Sequence, residues 1–205
     1  MARLLKVSKI KIVLIRHSIT AGNEKKRYIG STDEPLCEAG KELLKGKIYP
    51  SIQRLYASPM LRCRQTASLI YPACEMQVID DFRECDFGEF ENKNYLELAD
   101  NPHYQEWIDS NGMLPFPQGE SREGFQRRSR DAFVQMVNDC LEDGISSAAA
   151  VVHGGTIMSV LEACASEKKE YYGWHVENGG GYVLQVDKEQ WKMGMRVVEV
   201  IESLS

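Results

Sequence analysis

Apolar residues along this chain fall into short unbroken runs that stop abruptly at polar or charged side chains. Ile12 to Ile15, β-branched apart from Leu14, ends in Arg16 and His17. Ala148 to Val152 ends in the same way, at His153-Gly154-Gly155. Runs of this kind suit strands covered on both faces, as in a parallel sheet. A shorter piece, Leu55 to Ala57, stops at Ser58-Pro59, and Gln77 to Ile79 is a weaker fourth strand. Gly181 to Val186 and Met195 to Ile201 read as two more strands separated by a polar turn.

Between these runs the spacing turns helical. Glu38 to Leu44 follows Pro35 and is short, while Leu61 to Ile70 is bounded by Pro59 and Pro72, positions that suit the two ends of a helix. Phe125 to Leu141 sets Phe125, Phe133, Met136, Val137, Cys140 and Leu141 largely along one face. Thr156 to Ala165 predicts a helix that starts directly after the His-Gly-Gly turn. Strand alternating with helix implies a layered α/β fold with a mainly parallel sheet. Residues 86–121 lack that rhythm and read as an irregular or helical excursion. Its Tyr95, Tyr104, Trp107 and Phe116 either line a pocket mouth or form a satellite core, and Tyr171-Tyr172-Gly173-Trp174 reads as packing.

Composition narrows the class. At 205 residues the chain fits one domain, with or without a modest insertion, and can bury a sizeable core. A formal charge of −5 argues against nucleic acid or an anionic membrane as partner. Six scattered cysteines form no C-x-x-C pair and no zinc-type spacing with the histidines, so reduced thiols in a cytoplasmic protein are expected. Met1 to Ile15 carries Arg3, Lys6, Lys9 and Lys11 and lacks the uninterrupted apolar stretch of an export signal.

Two apolar strands that each terminate in a histidine are the most informative chemical feature. Ligands bind beyond the carboxyl ends of strands in open parallel sheets. His17 and His153 therefore face one crevice if their strands are neighbours; otherwise each caps a turn. Arg16 and Arg62 supply planar paired donors that match phosphate oxygens, although a surface ion pair is the ordinary fate of an arginine. Gly154 and Gly155 precede a helix start, where free N–H groups and the helix dipole favour an anion. No P-loop pattern is present. A carboxylic acid is needed to protonate a leaving alkoxide; Glu84 stands in position for it, with Asp81, Asp86 and Glu89 as competitors that spacing does not separate.

These residues resemble the histidine phosphatases, also called phosphoglycerate-mutase-like enzymes. Arg16-His17-Ser18-Ile19-Thr20 with Asn23 is similar to the opening R-H-G-x-T-x-x-N signature, and Gly30, Asp33, Pro35-Leu36 and Gly40 continue it. Ser58-Pro59 through Arg62 to Gln65-Thr66-Ala67 resembles the S-P-x-x-R-x-x-Q-T-A block. Arg83-Glu84 with Phe87-Gly88 and Glu91 resembles the acid segment, Pro117-Gln118-Gly119-Glu120-Ser121 the P-x-G-E-S turn, and His153-Gly154-Gly155 the second histidine. The blocks run in family order from Ile12 to about Leu161.

The resemblance implies one domain over 1–205, a three-layer α/β/α sandwich with a mainly parallel sheet. The insertion at about 86–121 lies over the strand C-terminal ends. It implies that His17 becomes a phosphohistidine and that Glu84 acts as general acid and then base. Arg16, Arg62 and His153 hold the phosphoryl oxygens, assisted by Asn23 and the Gly154 N–H. No metal or other cofactor is implied, and the partner is a small phosphorylated metabolite. Ser18 replaces the usual glycine, either fitting as a small residue or bonding to phosphate; Ile29 and Asn92 are further departures. His103 and His175 read as surface or core histidines rather than metal ligands.

Three functions compete. Hydrolysis of a phosphomonoester fits a compact chain that looks more like the small bacterial phosphatases, α-ribazole-phosphate phosphatases among them. Cofactor-dependent phosphoglycerate mutase-type transfer is the alternative within the enzyme class. A non-catalytic phospholigand-binding module is the alternative outside it, and it is disfavoured because every inferred catalytic position is filled.

Overall fold

A computed structural model describes residues 8–205; Arg3 and Lys6 lie outside the described residues. Six strands form one sheet: β1 (Lys9–Arg16), β2 (Arg54–Ala57), β3 (Met76–Val78), β4 (Ser147–Val152), β5 (Gly181–Asp187) and β6 (Glu199–Leu204). Their order is β3-β2-β4-β1-β5-β6, and β5 alone runs against the rest. Helices cover both faces: α1 (Ala21–Glu24), α2 (Glu38–Lys45), α3 (Leu61–Ile70), α4 (Pro102–Asp109), α5 (Arg122–Glu142), α6 (Gly154–Cys164) and α7 (Lys188–Lys192).

The alternation along β1 and β4 decides which helix packs on which face. Ile12, Leu14, Ala148 and Ala150 point toward α5 and α6, meeting Phe133, Val137, Ile157 and Val160. Val13, Ile15, Ala149 and Val151 point the other way, toward Cys63 and Ala67 of α3. Both faces are buried from Ile12 to Ile15 and from Ala148 to Val152, which is why those stretches carry no polar alternation. The predicted three-layer α/β/α sandwich is the fold observed.

Two boundaries differ from expectation. The two glycines after His153 are themselves the first turn of α6, which no side chain caps. The polar stretch between the last two strands is α7, whose N-terminus Asp187 caps and whose Trp191 is buried against Phe133. Strand β6 accordingly begins at Glu199 rather than Met195, and Val198 instead bridges to Ala165 beyond the sheet.

The excursion at 86–121 sits over the strand ends. Tyr28 donates its N–H to Lys93 O and accepts from Asn92 N, and Arg27 bridges to Asn94, so the segment is zipped onto the loop after β1. Asn92 takes φ +57°, a left-handed conformation that asparagine tolerates better than most residues. Tyr104, Trp107 and Phe116 join Phe90 in a satellite core, while Tyr95 is exposed. No helix among the described residues is long and apolar enough to cross a membrane.

Helix α2 reaches the loop after β1 through Gly40. A Cβ at Gly40 would lie 2.1 Å from the Ile19 carbonyl oxygen, and the Gly40 carbonyl accepts the Ser18 hydroxyl at 2.6 Å. Gly40→Ala is therefore expected to cost about 1–3 kcal/mol through overpacking, outweighing the ~0.5–1 kcal/mol that alanine gains over glycine within a helix. A urea unfolding curve should show a lower midpoint at unchanged slope. A raised midpoint would show that the helix gives way without cost.

Candidate active site

Register builds the centre of the site. β1 and β4 run parallel with Arg16 opposite Val152, so the next residues, His17 and His153, leave the sheet side by side. The His17 N–H donates to Val152 O at 2.9 Å, and the two imidazole centroids lie 5.2 Å apart, edge to face. The chain leaving β1 turns toward β2 and that leaving β4 toward β5, on opposite sides. The two connections cross past each other on opposite faces of the sheet, through α2 on the face that α3 covers and through α6 on the other, and the site lies beyond the carboxyl ends of both strands.

His17 is held in one tautomer. Its Nδ1 lies 2.7 Å from the Ser18 carbonyl oxygen, an acceptor only, so Nδ1 carries the proton and Nε2 keeps its lone pair. Burial, then the positive charges of Arg62 and Arg16, push its pKa well below the usual histidine range. The ring is neutral near pH 7. Ser18 itself is fully buried and spends its hydroxyl on Gly40 O, so it does not face the cavity as a phosphate ligand.

His153 is also buried, with Nε2 2.8 Å from Ser58 Oγ and Nδ1 3.7 Å from the Glu84 carboxylate. Burial and Arg62 lower its pKa as well. Burial raises that of Glu84, opposed by the Cys85 N–H and by Arg62, Arg16 and Arg128. Both directions favour neutral forms, so the 3.7 Å approach is not an ion pair.

The arginines differ in what they have left for a ligand. Arg62, 1% exposed, gives Nη1 to Thr32 O and Nη2 to Ile29 O and Gly30 O. Its Nε–H is buried without a partner. Arg16 gives Nη1 to Val176 O at 2.8 Å, and its Nε is likewise unpartnered. Carbonyl dipoles position both cations, which is how desolvated guanidiniums are tolerated.

Asn23 Oδ1 accepts from Thr20 N and Asn178 Nδ2, leaving its own amide N–H groups without a recorded acceptor. The Gly154 N–H, at the uncapped start of α6, is one of the free donors of a helix N-terminus. Arg16, His17, Asn23, Glu84 and Gly154 together line a cavity of about 190 Å³. Arg62 and His153 stand behind them and do not line it. Glu84 is separated from its competitors: Asp81 pairs with Arg83, Asp86 accepts from Gly88 N, and Glu89 meets His103 and Gln118.

Several residues enter that sequence reasoning missed. Asn178 donates to His17 O at 3.0 Å and holds Asn23. Ser58 fixes His153, and Glu91 accepts from Gly30 N and Thr32 N, fastening the carbonyls that Arg62 uses. Arg128 donates to Asp81 O, Arg83 O and Glu84 O while pairing twice with Glu120. A glutamate in the P-x-G-E-S turn with an arginine two turns into the following helix was the available signal. Gly155 matters through what it lacks: a Cβ there would lie 2.9 Å from the Phe125 ring and 3.2 Å from Glu84 Oε1. His175 borders the cavity, and Tyr171 and Tyr172 wall a neighbouring one, so those tyrosines are not packing alone.

Known proteins share this arrangement at the level of sequence and fold. A sequence profile of the histidine phosphatase superfamily (branch 1) matches residues 12–197. The chain is similar to the "Probable phosphoglycerate mutase GpmB" of Yersinia pestis, 28% identical over 162 residues that cover 74% of this chain and 73% of that protein. It resembles the structure of a phosphoglycerate mutase from Thermus thermophilus, with TM-score 0.66, 29% identity and coverage of 96% and 99%. In fold it also resembles the α-ribazole phosphatase of Shigella flexneri, with TM-score 0.78, 19% identity and 96% of each chain covered. The chain belongs to branch 1 of the histidine phosphatase superfamily and is an enzyme of the phosphatase class.

Proposed function

We propose that the chain hydrolyses a small phosphomonoester through a phosphohistidine on His17. The observation that carries this reading is the bond between His17 Nδ1 and Ser18 O, which leaves Nε2 as a free nucleophile in a neutral ring. Nε2 attacks phosphorus in line with the ester oxygen. As the N–P bond forms, the P–O bond to the alcohol breaks and the leaving oxygen takes the proton of Glu84. A water then attacks the phosphohistidine, Glu84 receives its proton, and the P–N bond breaks to release inorganic phosphate.

Charge in such a transfer spreads over the equatorial oxygens, so fixed cations and donors do most of the work. Arg16 and the Gly154 N–H, which line the cavity, are assigned to those oxygens with Asn23 assisting, and Arg62 adds its charge and its unpartnered Nε–H from behind the wall. Ser58 Oγ accepts from Met60 N and lies 2.8 Å from His153 Nε2, which fixes the ring with Nδ1 facing the Glu84 carboxylate at 3.7 Å. Hydrolysis is favoured over a mutase because the cavity opens at His175, whose side chain is 55% exposed, giving water a route to the phosphoenzyme. α-Ribazole phosphate and 3-phosphoglycerate are the two substrates that the relatives' names bring to the test.

The deciding experiment is turnover of a phosphomonoester panel containing both, with sugar phosphates and the mutase activator 2,3-bisphosphoglycerate. Release of inorganic phosphate is expected, together with an acid-labile adduct on His17 after quenching; His17→Ala should abolish both. Isomerisation of 3-phosphoglycerate outpacing phosphate release, or an adduct on another residue, contradicts the reading.

The pH dependence follows from the two shifts. His17 acts unprotonated, so kcat/KM falls only as pH drops through a pKa lying below 6.5. Glu84 acts protonated, so the first step is lost as pH rises through a pKa lying above 4.5. On an alkyl phosphomonoester, Glu84→Gln should lower kcat about 10²–10⁴-fold and erase the alkaline limb. An alkaline limb that persists would place the acid elsewhere.

Gly155→Ala tests the positioning of that acid. The new methyl must displace the Phe125 ring edge or the Glu84 carboxylate. A misplacement of about 1 Å can cost on the order of 10²-fold in rate. The expected outcome is a loss of kcat of that order with KM little changed; unaltered kcat would show that Phe125 alone yields.

A further inference from the structure

Beside the phosphoryl cavity lies a second one of about 280 Å³, and the two share Tyr28, Glu84, Phe87, Gly155 and Met158 as a common wall. Glu84 thus stands between them. An alcohol that takes a proton from Glu84 must sit on the side away from His17, so the second cavity is where the body of the substrate goes. This step rests on the phosphatase reading above.

The walls are almost entirely apolar. Trp107 and Phe116 stack at 5.1 Å with 29° between their planes, and Tyr171 and Tyr172 meet edge to face at 5.1 Å. Phe125 and Met158 complete the lining. Wall hydroxyls are largely spent, since Tyr28 shares a hydrogen bond with Tyr104 and Tyr171 donates to Gly155 O. No Ser, Thr, Asn or Gln lines this chamber to receive the hydroxyls of a polyol.

Its one acidic and one basic side chain are Glu84 and Arg122. The Arg122 guanidinium lies 4.9 Å over the Tyr171 ring, and its recorded hydrogen bond goes to Met113 Sδ at 3.9 Å, a weak acceptor. It forms no salt bridge among the described residues. A cation stacked on an aromatic face, unneutralised, at an apolar cavity is a ready partner for a carboxylate or other anion. The neighbouring arginine, Arg128, is by contrast fully committed to Glu120 and three carbonyls.

We infer that the substrate is the phosphomonoester of an alcohol bearing a flat aromatic ring, with an anionic group on the far side of the ring that pairs with Arg122. The ring fills the Trp107–Phe116–Tyr171 chamber while the ester oxygen meets Glu84. Arg122 acts as a specificity-determining residue and takes no part in bond breaking. Small hydroxylated esters leave the chamber unfilled.

The test compares alkyl esters, so that leaving-group acidity does not decide the result. Benzyl phosphate is expected to exceed glycerol 1-phosphate in kcat/KM by about 10- to 100-fold, the effect of burying one ring. 4-Carboxybenzyl phosphate should exceed benzyl phosphate by roughly tenfold. In Arg122→Gln that ratio should fall to one or below, a comparison insensitive to how much active protein folds. Glycerol 1-phosphate or 3-phosphoglycerate matching benzyl phosphate would overturn the chamber assignment, and an unchanged carboxylate ratio in Arg122→Gln would overturn that of Arg122. Should no ester be hydrolysed, the phosphatase reading falls, and calorimetry with benzylphosphonate and methylphosphonate reads the chamber separately. Tighter binding of the benzyl compound upholds the chamber, and equal binding overturns it.

Discussion

The hydrogen bond from the His17 amide to the Val152 carbonyl is the last rung of the β1–β4 ladder, and the site depends on it. Parallel register fixes the relative height of two strands, so the residues just past their ends emerge level with each other. A slip of one residue would turn each side chain to the opposite face. Register here is pinned because both faces of β1 and β4 are buried under helices, with Val13, Leu14, Ala149 and Ala150 at 0–1% exposure. The apolar core therefore does more than stabilise the domain; it sets the distance between the imidazoles.

Around that pair the electrostatics are deliberately unbalanced. Two guanidiniums sit largely desolvated beside two histidines that burial holds neutral and a glutamate whose burial favours its protonated form. Carbonyl oxygens of Ile29, Gly30, Thr32 and Val176 take part of the arginine donors, enough to position each group but not to discharge it. Leaving buried cations without counter-ions costs folding free energy. A phosphate monoester, the proposed ligand, brings up to two negative charges, and its binding here would recover that cost.

Much of this was legible before any coordinates, and the reasons are local. Strands covered on both faces declare themselves as unbroken apolar runs, so β1 and β4 and their terminal histidines could be read directly. The C-terminal segment could not be read so well. Met195 to Val198 has the apolar content of a strand, but Arg196 Nη1 turns back to Trp191 O and Val198 bridges to Ala165, and periodicity does not say which partner a run will find. Asn178, Ser58 and Arg128 were invisible because their meaning is long-range: Asn178 contacts residues more than a hundred positions away. Ser18, standing for the usual glycine, left two readings open, a small residue that fits or a phosphate ligand, and its hydroxyl turns to a helix that only tertiary packing brings near.

The same distinction separates chemistry from selectivity. The proposed nucleophile and phosphate donors come from the sheet's own strand ends and the helices that follow them, elements whose positions the core dictates. The chamber beyond Glu84 is assembled from the excursion, the first turns of α5 and the 171–174 turn, which meet through side chains, Phe125 in the cluster of Phe90 and Phe116 and Arg122 over the Tyr171 ring. Residues in such a wall can be exchanged without disturbing β1 or β4, so one reaction can serve many alcohols. Among the five residues that border both cavities, Glu84 and Gly155 are the exceptions, one as the proposed acid and the other because a Cβ there would crowd it. In the proposed mechanism Glu84 meets the phosphoryl group on one side and the alcohol on the other, and Gly155 keeps clear the space in which it does so. On that reading those two positions couple which substrate binds to how fast its bond breaks.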